Sequence, residues 1–182
     1  KNVAYTAANI ATLSVSTKGG TDGVTIEDST TTPVSVDGGG SQNDTLTMEG
    51  DGAAANTYTV TPGTSVVMNA VTADFTGVET LTLDSNTQAG TVTVTADGAA
   101  NQVSYVGDSA ATDAATISID GSLAASLVNF AATSSVTLNV GDGDDTITVA
   151  PNAATDLATV TVAASTGSDT LTVEGDSGAA VA

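Results

Sequence analysis

The sequence predicts an all-β fold in which short strands stack as a right-handed parallel β-solenoid, or β-helix, with Gly- and Asp-rich turns. Apolar residues alternate with Thr or Ser along most of the chain, which is the two-residue period of a strand. Clusters of Gly, Asp and Asn interrupt the alternation about every 9–13 residues, a spacing typical of short strands joined by turns. A phrase also recurs, since DTLTMEGD begins at Asp44 and DTLTVEGD begins at Asp169.

The strand-like segments form three blocks of four strands each. Each block begins with an aromatic residue. The predicted ranges are 5–57 for block one, 58–74 for an insertion, 75–122 for block two and 130–182 for block three. No change of composition marks a boundary, so we expect residues 1–182 to be one continuous β-repeat array, cut from a longer protein. Repeats of this kind bury their cores against their neighbours.

The alternation also predicts the core. Apolar residues within a strand face inward, and the Thr residues between them face outward. The predicted inward sets are Leu46/Met48, Leu81/Leu83, Val92/Val94, Ile117/Ile119, Val136/Leu138/Val140, Ile147/Val149, Val160/Val162 and Leu171/Val173. Small and medium aliphatic side chains suit a thin two-layer interior. The sequence would accommodate a helical turn only in Leu123–Phe130 (LAASLVNF).

A second fold is compatible with the same strands. Tandem immunoglobulin-like β-sandwiches would pair them antiparallel in Greek keys, with each four-strand block forming half a domain. Such sandwiches need long crossovers between sheets, whereas the spacings here are short and even.

The composition excludes several functions. Lys1 and Lys18 are the only basic residues against 21 acidic ones, giving a formal net charge of −19. Phosphate backbones and anionic membrane surfaces would therefore repel the chain, and we expect neither nucleic-acid binding nor membrane insertion. The sequence contains no His, Cys or Arg. Because these residues supply most bases, nucleophiles and anion clamps in enzymes, we predict that the protein is not an enzyme.

Several Gly/Asp turns have the composition of calcium sites. In VGDGDDTITV (Val140–Val149), a Gly-rich turn can direct backbone carbonyls inward while an Asp at its end adds a carboxylate. Ca²⁺ takes about 6–8 such oxygens. Gly38–Leu46 and Ser165–Leu171 are looser versions. The candidate metal ligands are Asp37, Gly39, Asp44, Asp51, Gly141, Asp142, Gly143, Asp144, Asp145, Asp169 and Asp176. Alternatively, these Asp residues only shape the turns.

The Gly141–Val149 segment resembles the calcium-binding nonapeptide of RTX proteins, G-G-x-G-x-D-x-U-x, where U is a large apolar residue. The overall composition, with GxETLTL phrases such as Gly77–Leu83, is similar to that of proteobacterial S-layer proteins of the RTX type. The resemblance implies Ca²⁺ as the cofactor, which two successive turns share in RTX β-rolls.

We therefore predict a secreted structural protein, located outside the cell or on its surface. It would be a calcium-stabilised segment of a surface layer, sheath or filament. The predicted partners are copies of itself and, in addition, cell-surface polysaccharide. The alternative function is a binding module, an immunoglobulin-like repeat segment of a bacterial adhesin. A minor alternative is an ice-binding face built from the Thr-x-Thr pairs.

Overall fold

The computed structural model describes residues 10–40, 43–108, 113–151 and 159–175. Every regular element in these ranges is a β-strand, which confirms the all-β prediction. The strands are β1 (Leu13–Ser16), β2 (Gly23–Glu27), β3 (Val34–Asp37), β4 (Thr45–Glu49), β5 (Asn56–Thr61), β6 (Ser65–Met68), β7 (Val71–Thr76), β8 (Thr80–Asp84), β9 (Gly90–Thr95), β10 (Gln102–Gly107), β11 (Ala115–Ile119), β12 (Ser122–Val128), β13 (Ser135–Gly141), β14 (Thr146–Ala150), β15 (Thr159–Ala164) and β16 (Thr170–Val173).

The strands form two eight-stranded sheets. The first sheet has the order β1-β3-β7-β6-β5-β9-β13-β15, and the second has the order β2-β4-β8-β12-β11-β10-β14-β16. Through much of the chain a first-sheet strand is followed by a second-sheet strand, as in β1–β2, β3–β4, β7–β8, β9–β10, β13–β14 and β15–β16. Successive strand pairs of this kind are neighbours in both sheets, except that β5 and β6 separate β7 from β9, and β11 and β12 separate β8 from β10.

Most pairings are parallel, and the exceptions involve β6 and β11. Strand β6 is antiparallel to β5 and β7, and strand β11 is antiparallel to β10 and β12. The remaining pairings of the described strands are parallel. This pattern differs from the antiparallel Greek-key pairing that the immunoglobulin-like alternative requires.

Each sheet contains one three-stranded meander in its middle. In the first sheet the chain passes through β5 and β6 to β7, which then pairs with β3. In the second sheet it passes through β10 and β11 to β12, which then pairs with β8. Asp120 and Gly121 join β11 to β12 with φ values of +51° and +75°. Positive φ at both central residues is the requirement of a tight hairpin turn, and Asp-Gly meets it.

The core lies between the sheets and is aliphatic with a few aromatic rings. Tyr58, Tyr105 and Phe130 are at most 1% exposed. The ring centroids of Tyr58 and Phe130 lie 5.7 Å apart. Tyr58 also donates a hydrogen bond from its hydroxyl to the backbone carbonyl of Asp84, so that its buried polar atom is paired.

The predicted inward sets are mostly buried; the exceptions are Ile119 beside the middle of the second sheet and the residues of β15 and β16 at one end. Ile119, Val160 and Val162 are only partly buried. Leu171 is 53% exposed and Val173 is 47% exposed. Strand β16 is the last strand of the second sheet, so its side chains have a neighbouring strand on one side only. The helical turn considered for Leu123–Phe130 is wrong, because that segment forms most of β12, between β8 and β11.

The block boundaries remain a prediction. Blocks one and three each contribute four strands that alternate between the sheets, namely β1–β4 and β13–β16. The four segments assigned to block two are β8, β9, β10 and β11, which include the antiparallel strand β11.

Candidate metal centre

The candidate ligands concentrate where a first-sheet strand turns into the following second-sheet strand. We call this side of the molecule the turn edge. It contains the turns β1–β2, β3–β4, β7–β8, β9–β10, β13–β14 and β15–β16. Because the strands on either side are in parallel register, equivalent residues of successive turns lie next to one another.

In four of these six turns, the residue that ends the turn donates a backbone hydrogen bond to a carboxylate of the next turn. The backbone N–H of Asp22 donates to Asp44 Oδ1 (2.8 Å), and that of Asp44 donates to Glu79 Oε2 (2.8 Å). The same contact recurs from Asn101 to Asp145 Oδ1 (2.8 Å) and from Asp145 to Asp169 Oδ1 (3.0 Å). We call these bonds the carboxylate ladder. It gives a structural role to the acid that precedes each Thr-x-Thr strand of the second sheet, namely β4, β8, β14 and β16.

The ladder explains why two of these acids tolerate burial. Asp44 is 3% exposed and Asp145 is 1% exposed. A buried carboxylate is costly unless hydrogen bonds compensate its charge. In both residues one oxygen accepts a backbone N–H from the preceding turn, which links consecutive strand pairs through their connecting loops.

Asn101 and Asp145 occupy equivalent positions with different chemistry. Gln102 pairs with Thr146, so the preceding residues Asn101 and Asp145 correspond. Asn101 is 3% exposed, and its amide nitrogen donates to the carbonyl of Ala99 (2.6 Å) and to Asp97 Oδ1 (3.1 Å) within its own turn. The amide therefore supplies a donor on the inside of the β9–β10 turn.

Asp145 has no donor to offer at the same place. Its Oδ2 is buried and has no hydrogen-bond partner among the described residues. Gly143 corresponds to Ala99, and its carbonyl likewise accepts no hydrogen bond within the described part of the chain. The β13–β14 turn thus presents an unpaired carboxylate oxygen where the β9–β10 turn presents an N–H group. A cation would compensate this oxygen.

The two other acids of that turn bind the next turn instead. Asp142 Oδ1 accepts hydrogen bonds from the hydroxyl of Thr166 (2.8 Å) and its backbone N–H (3.3 Å). Asp144 Oδ1 accepts one from the backbone N–H of Ser168 (2.9 Å). Hydrogen bonds from the side chains of Ser165 and Thr166, and then from the Thr166 backbone, lower the pKa of Asp142. Both carboxylates are exposed.

The turn glycines allow adjacent turns to approach closely. Gly143 has φ +117°, and a Cβ added to it would lie 2.6 Å from the Ala99 carbonyl oxygen. A Cβ on Gly39 would similarly overlap the carbonyl of Lys18 in the neighbouring turn. The close approach of neighbouring backbone is thus sufficient to require glycine at positions 39, 141 and 143, whether or not a metal is bound.

The remaining candidate ligands lie apart from Asp145. Asp37 Oδ1 accepts the backbone N–H of Gly39 (3.0 Å) in the β3–β4 connection. Asp51 Oδ1 accepts that of Ala53 (2.8 Å), but it follows β4 and lies at the opposite edge of the sheets. Asp176 lies outside the described residues.

Calcium fits the β13–β14 turn only if backbone carbonyls contribute to its coordination. No three acidic side chains converge into a metal-binding group within the ranges that the structure describes. The orphaned Asp145 Oδ2, next to a Gly-rich backbone, is the feature that matches a hard cation preferring oxygen. Asp145 and the carbonyl of Gly143 would hold the ion, which would supply positive charge to the buried carboxylate.

Two members of this arrangement were not among the predicted site residues. Glu79 belongs to the ladder, and Asn101 is the amide counterpart of Asp145. Glu79 had a usable signal in the sequence, because it directly precedes a Thr-Leu-Thr strand as Asp44 and Asp169 do. Asn101 had none, because its turn lacks the Gly-Asp pattern.

A cavity of about 710 Å³ interrupts the turn edge at its middle. It lies between the β7–β8 and β9–β10 turns, where the tips of the β5–β6 and β11–β12 hairpins replace turns. Val78 and Ile119 contribute apolar surface to its lining, and Glu79, Asp97 and Asp120 contribute carboxylates. The ladder is therefore divided into two separate runs.

Comparison with known protein families, curated proteins and solved structures found no match for this chain. In the residues that the structure covers, no helix is long and apolar enough to cross a membrane.

Proposed function

We propose that this chain is a calcium-stabilised structural segment of an extracellular assembly, such as a surface layer, sheath or filament. The observation that carries the proposal is the buried, unpaired Oδ2 of Asp145. A cation at this position stabilises the fold without taking part in any reaction. The lack of His, Cys and Arg in the sequence supports a structural role over a catalytic one.

The proposed architecture is a right-handed β-solenoid with one meander inserted in each sheet. Strands that alternate between two sheets and pair in parallel with the next strand pair support it. The right hand follows from the strong preference of parallel crossover connections for that hand. The buried residues of the described strands form one largely aliphatic core, as expected for a stacked array.

Calcium also reduces the repulsion within the chain. The formal net charge is −19, and ladder acids follow one another across adjacent turns. High net charge opposes compaction, and divalent ions offset it. Secretion into a calcium-rich medium is part of the proposal, since a structural site needs a steady supply of its ion.

Thermal unfolding followed by circular dichroism tests the calcium site. With free Ca²⁺ at a hundred times its dissociation constant, we expect stabilisation of about 2.7 kcal/mol by mass action. Mg²⁺ at equal concentration is the control for charge screening, because its demand for regular octahedral coordination disfavours such a site. Equal melting temperatures in Ca²⁺, Mg²⁺ and chelator would contradict the proposal.

A second candidate function is supported by the outer face of the first sheet. The register aligns Thr57, Thr91, Ser135 and Thr159 in one row, and Thr59, Thr93, Thr137 and Thr161 in another. The rows lie on four adjacent parallel strands, which are about 4.8 Å apart. This regular hydroxyl and methyl surface is the arrangement that the ice-binding alternative requires.

An ice-recrystallisation assay tests this second candidate. Thr137→Lys would interrupt the array in its middle and should abolish any inhibition of crystal growth. Thr148→Lys, on the outer face of the second sheet, is the matched control. If the unaltered protein does not slow crystal growth, the threonines serve only as strand-forming residues.

A further inference from the structure

We propose that copies of this chain join end to end, with β1 and β2 of one copy extending the sheets beyond β15 and β16 of another. This inference rests on the proposed structural role and identifies its partner and contact surface. We call the outer edges of β1 and β2 the leading end, and those of β15 and β16 the trailing end. No other described strand pairs with either end.

The direction of the strands makes the two ends compatible. Of the strands that the structure describes, only β6 runs opposite to the others in the first sheet and only β11 does so in the second. Each meander reverses direction twice, so the original direction is restored beyond it. Strands β15 and β16 therefore run parallel to β1 and β2. A second copy added by simple translation would continue both sheets with parallel pairing.

The carboxylate ladder supplies complementary groups at the two ends. Every bond of the ladder runs from a backbone N–H to the acid of the next turn. At the trailing end, the Asp169 N–H has no acceptor among the described residues. At the leading end, no described donor bonds to the Asp22 carboxylate. Placing Asp22 of the next copy over Asp169 would add one more bond of the same kind.

The backbone of β16 also has donors directed away from the molecule. Thr170 N–H donates to Asp145 and Glu174 N–H donates to Val149, both toward β14. Because alternate residues of a strand point their N–H groups to opposite sides, those of Leu171 and Val173 point outward. Such an open edge is a template for another strand.

The same register would cover the exposed apolar side chains. If Asp22 is aligned with Asp169, Val24 of the next copy lies beside Leu171, and Ile26 lies beside Val173. Leu171 and Val173 are 53% and 47% exposed, the least buried of the predicted inward residues. Aliphatic neighbours already stack in this way in β14 and β16, where Ile147 pairs with Leu171.

The resulting interface is heterologous and does not close. The leading end of one copy contacts the trailing end of the next, so an assembly of any length retains one free end of each kind. Filaments should form, with a broad distribution of lengths rather than a fixed oligomer. The net charge of −19 opposes contact between copies, so assembly should strengthen with calcium and salt.

Two variants that each block one end test the interface. Leu171→Pro removes an outward N–H at the trailing end, and Thr25→Pro does so at the leading end. Proline is tolerated on an edge strand where its missing N–H faces solvent, so both variants should fold. Circular dichroism and thermal unfolding verify this. Leu171→Ala, which retains the N–H, is the control for loss of the side chain.

Analytical ultracentrifugation in calcium then gives distinct outcomes. The unaltered chain should form a series of oligomers of increasing size, and each blocked variant alone should remain monomeric. An equimolar mixture of the two should give heterodimers only, because one usable pair of ends remains. A blocked variant that dimerises by itself would show contact between like ends, and a mixture that stays monomeric would show no such interface. Either result overturns the inference.

A milder substitution covers the case in which a proline variant fails to fold. Asp22→Ala removes only the ladder acceptor and should weaken assembly about tenfold, the effect expected for loss of one hydrogen bond to a charged group. Asp51→Ala, an exposed acid at the opposite edge, should not. Melting the monomeric variants with and without chelator separates the two proposals. Calcium-independent melting contradicts the metal site, while failure to form heterodimers contradicts the end-to-end contact.

Discussion

Replacing each of the two equivalent turn residues, Asp145 and Asn101, by the other's type gives the sharpest test of the proposed metal centre. Asp145→Asn keeps an oxygen to accept the Asn101 N–H and adds an amide donor in place of the unpaired Oδ2. Asn101 already uses such a donor to bind the Ala99 carbonyl at 2.6 Å. We therefore expect Asp145→Asn to stabilise the protein when no calcium is present, although it removes a candidate ligand.

The expected magnitude follows from the burial of Asp145. A buried polar group without a partner costs about 1–3 kcal/mol, and more if it is charged. Asp145 is 1% exposed, so most of that cost applies. In chelator, Asp145→Asn should thus gain about 1–3 kcal/mol of unfolding free energy. For a chain of this size, each kcal/mol corresponds to roughly 2–4 °C of melting temperature.

The reciprocal substitution should have the opposite effect. Asn101→Asp removes the donor to Ala99 and places a second buried carboxylate beside Asp145. In chelator it should lose about 1–3 kcal/mol, and calcium should restore part of the loss. Urea or thermal unfolding, with and without calcium, measures both variants. If Asp145→Asn destabilises the protein in chelator, Oδ2 has a partner and the reasoning is wrong.

Three further predictions concern the core and its pH dependence. Leu46→Ala should cost about 2–5 kcal/mol because Leu46 is fully buried, whereas Leu171→Ala, at a position 53% exposed, should cost far less in the monomer. Gly90→Ala should cost about 1–3 kcal/mol, because a Cβ there would overlap an aromatic ring of the core, while Gly98→Ala, with open space around it, should be nearly neutral. Burial raises the pKa of Tyr105 to about 12. Since its folded pKa lies above its unfolded value, its contribution is complete below about pH 10 and is lost as the pH rises toward 12, at about 1.4 kcal/mol per pH unit. Unfolding measured against pH should show a shallower alkaline decline in Tyr105→Phe.

The strands were predictable because their signal is local. Alternation of apolar residues with Thr reports the two faces of one strand and needs no knowledge of its partners. The helical turn considered for Leu123–Phe130 failed for the converse reason. Apolar residues there have a helix-like spacing, but the backbone bonds offered by β8 and β11 decide the conformation. The Asp120-Gly121 dipeptide, a hairpin signal, marks the turn that brings β12 back.

The candidate site was only partly predictable. The Gly-Asp pattern of residues 141–145 includes Asp145 among the predicted ligands, and the structure buries this residue. The neighbouring acids Asp142 and Asp144 lie in the same Gly-Asp segment, but their carboxylates accept hydrogen bonds from Thr166 and Ser168. The hydrogen-bond partners of these carboxylates depend on which turn lies beside them, and the register of the sheets determines that neighbour.

The two copies of the DTLT phrase have the same local sequence but different surroundings in the fold. The strand, the preceding acid and the direction of the apolar side chains follow from local sequence, because they depend on residues a few positions apart. Leu46 is nonetheless fully buried and Leu171 is half exposed. Strand β4 lies between β2 and β8, whereas β16 has β14 on one side and an open edge on the other. Burial depends on the neighbouring strands, so the fold determines which copy lies in the core and which lies at an open edge of the described sheets.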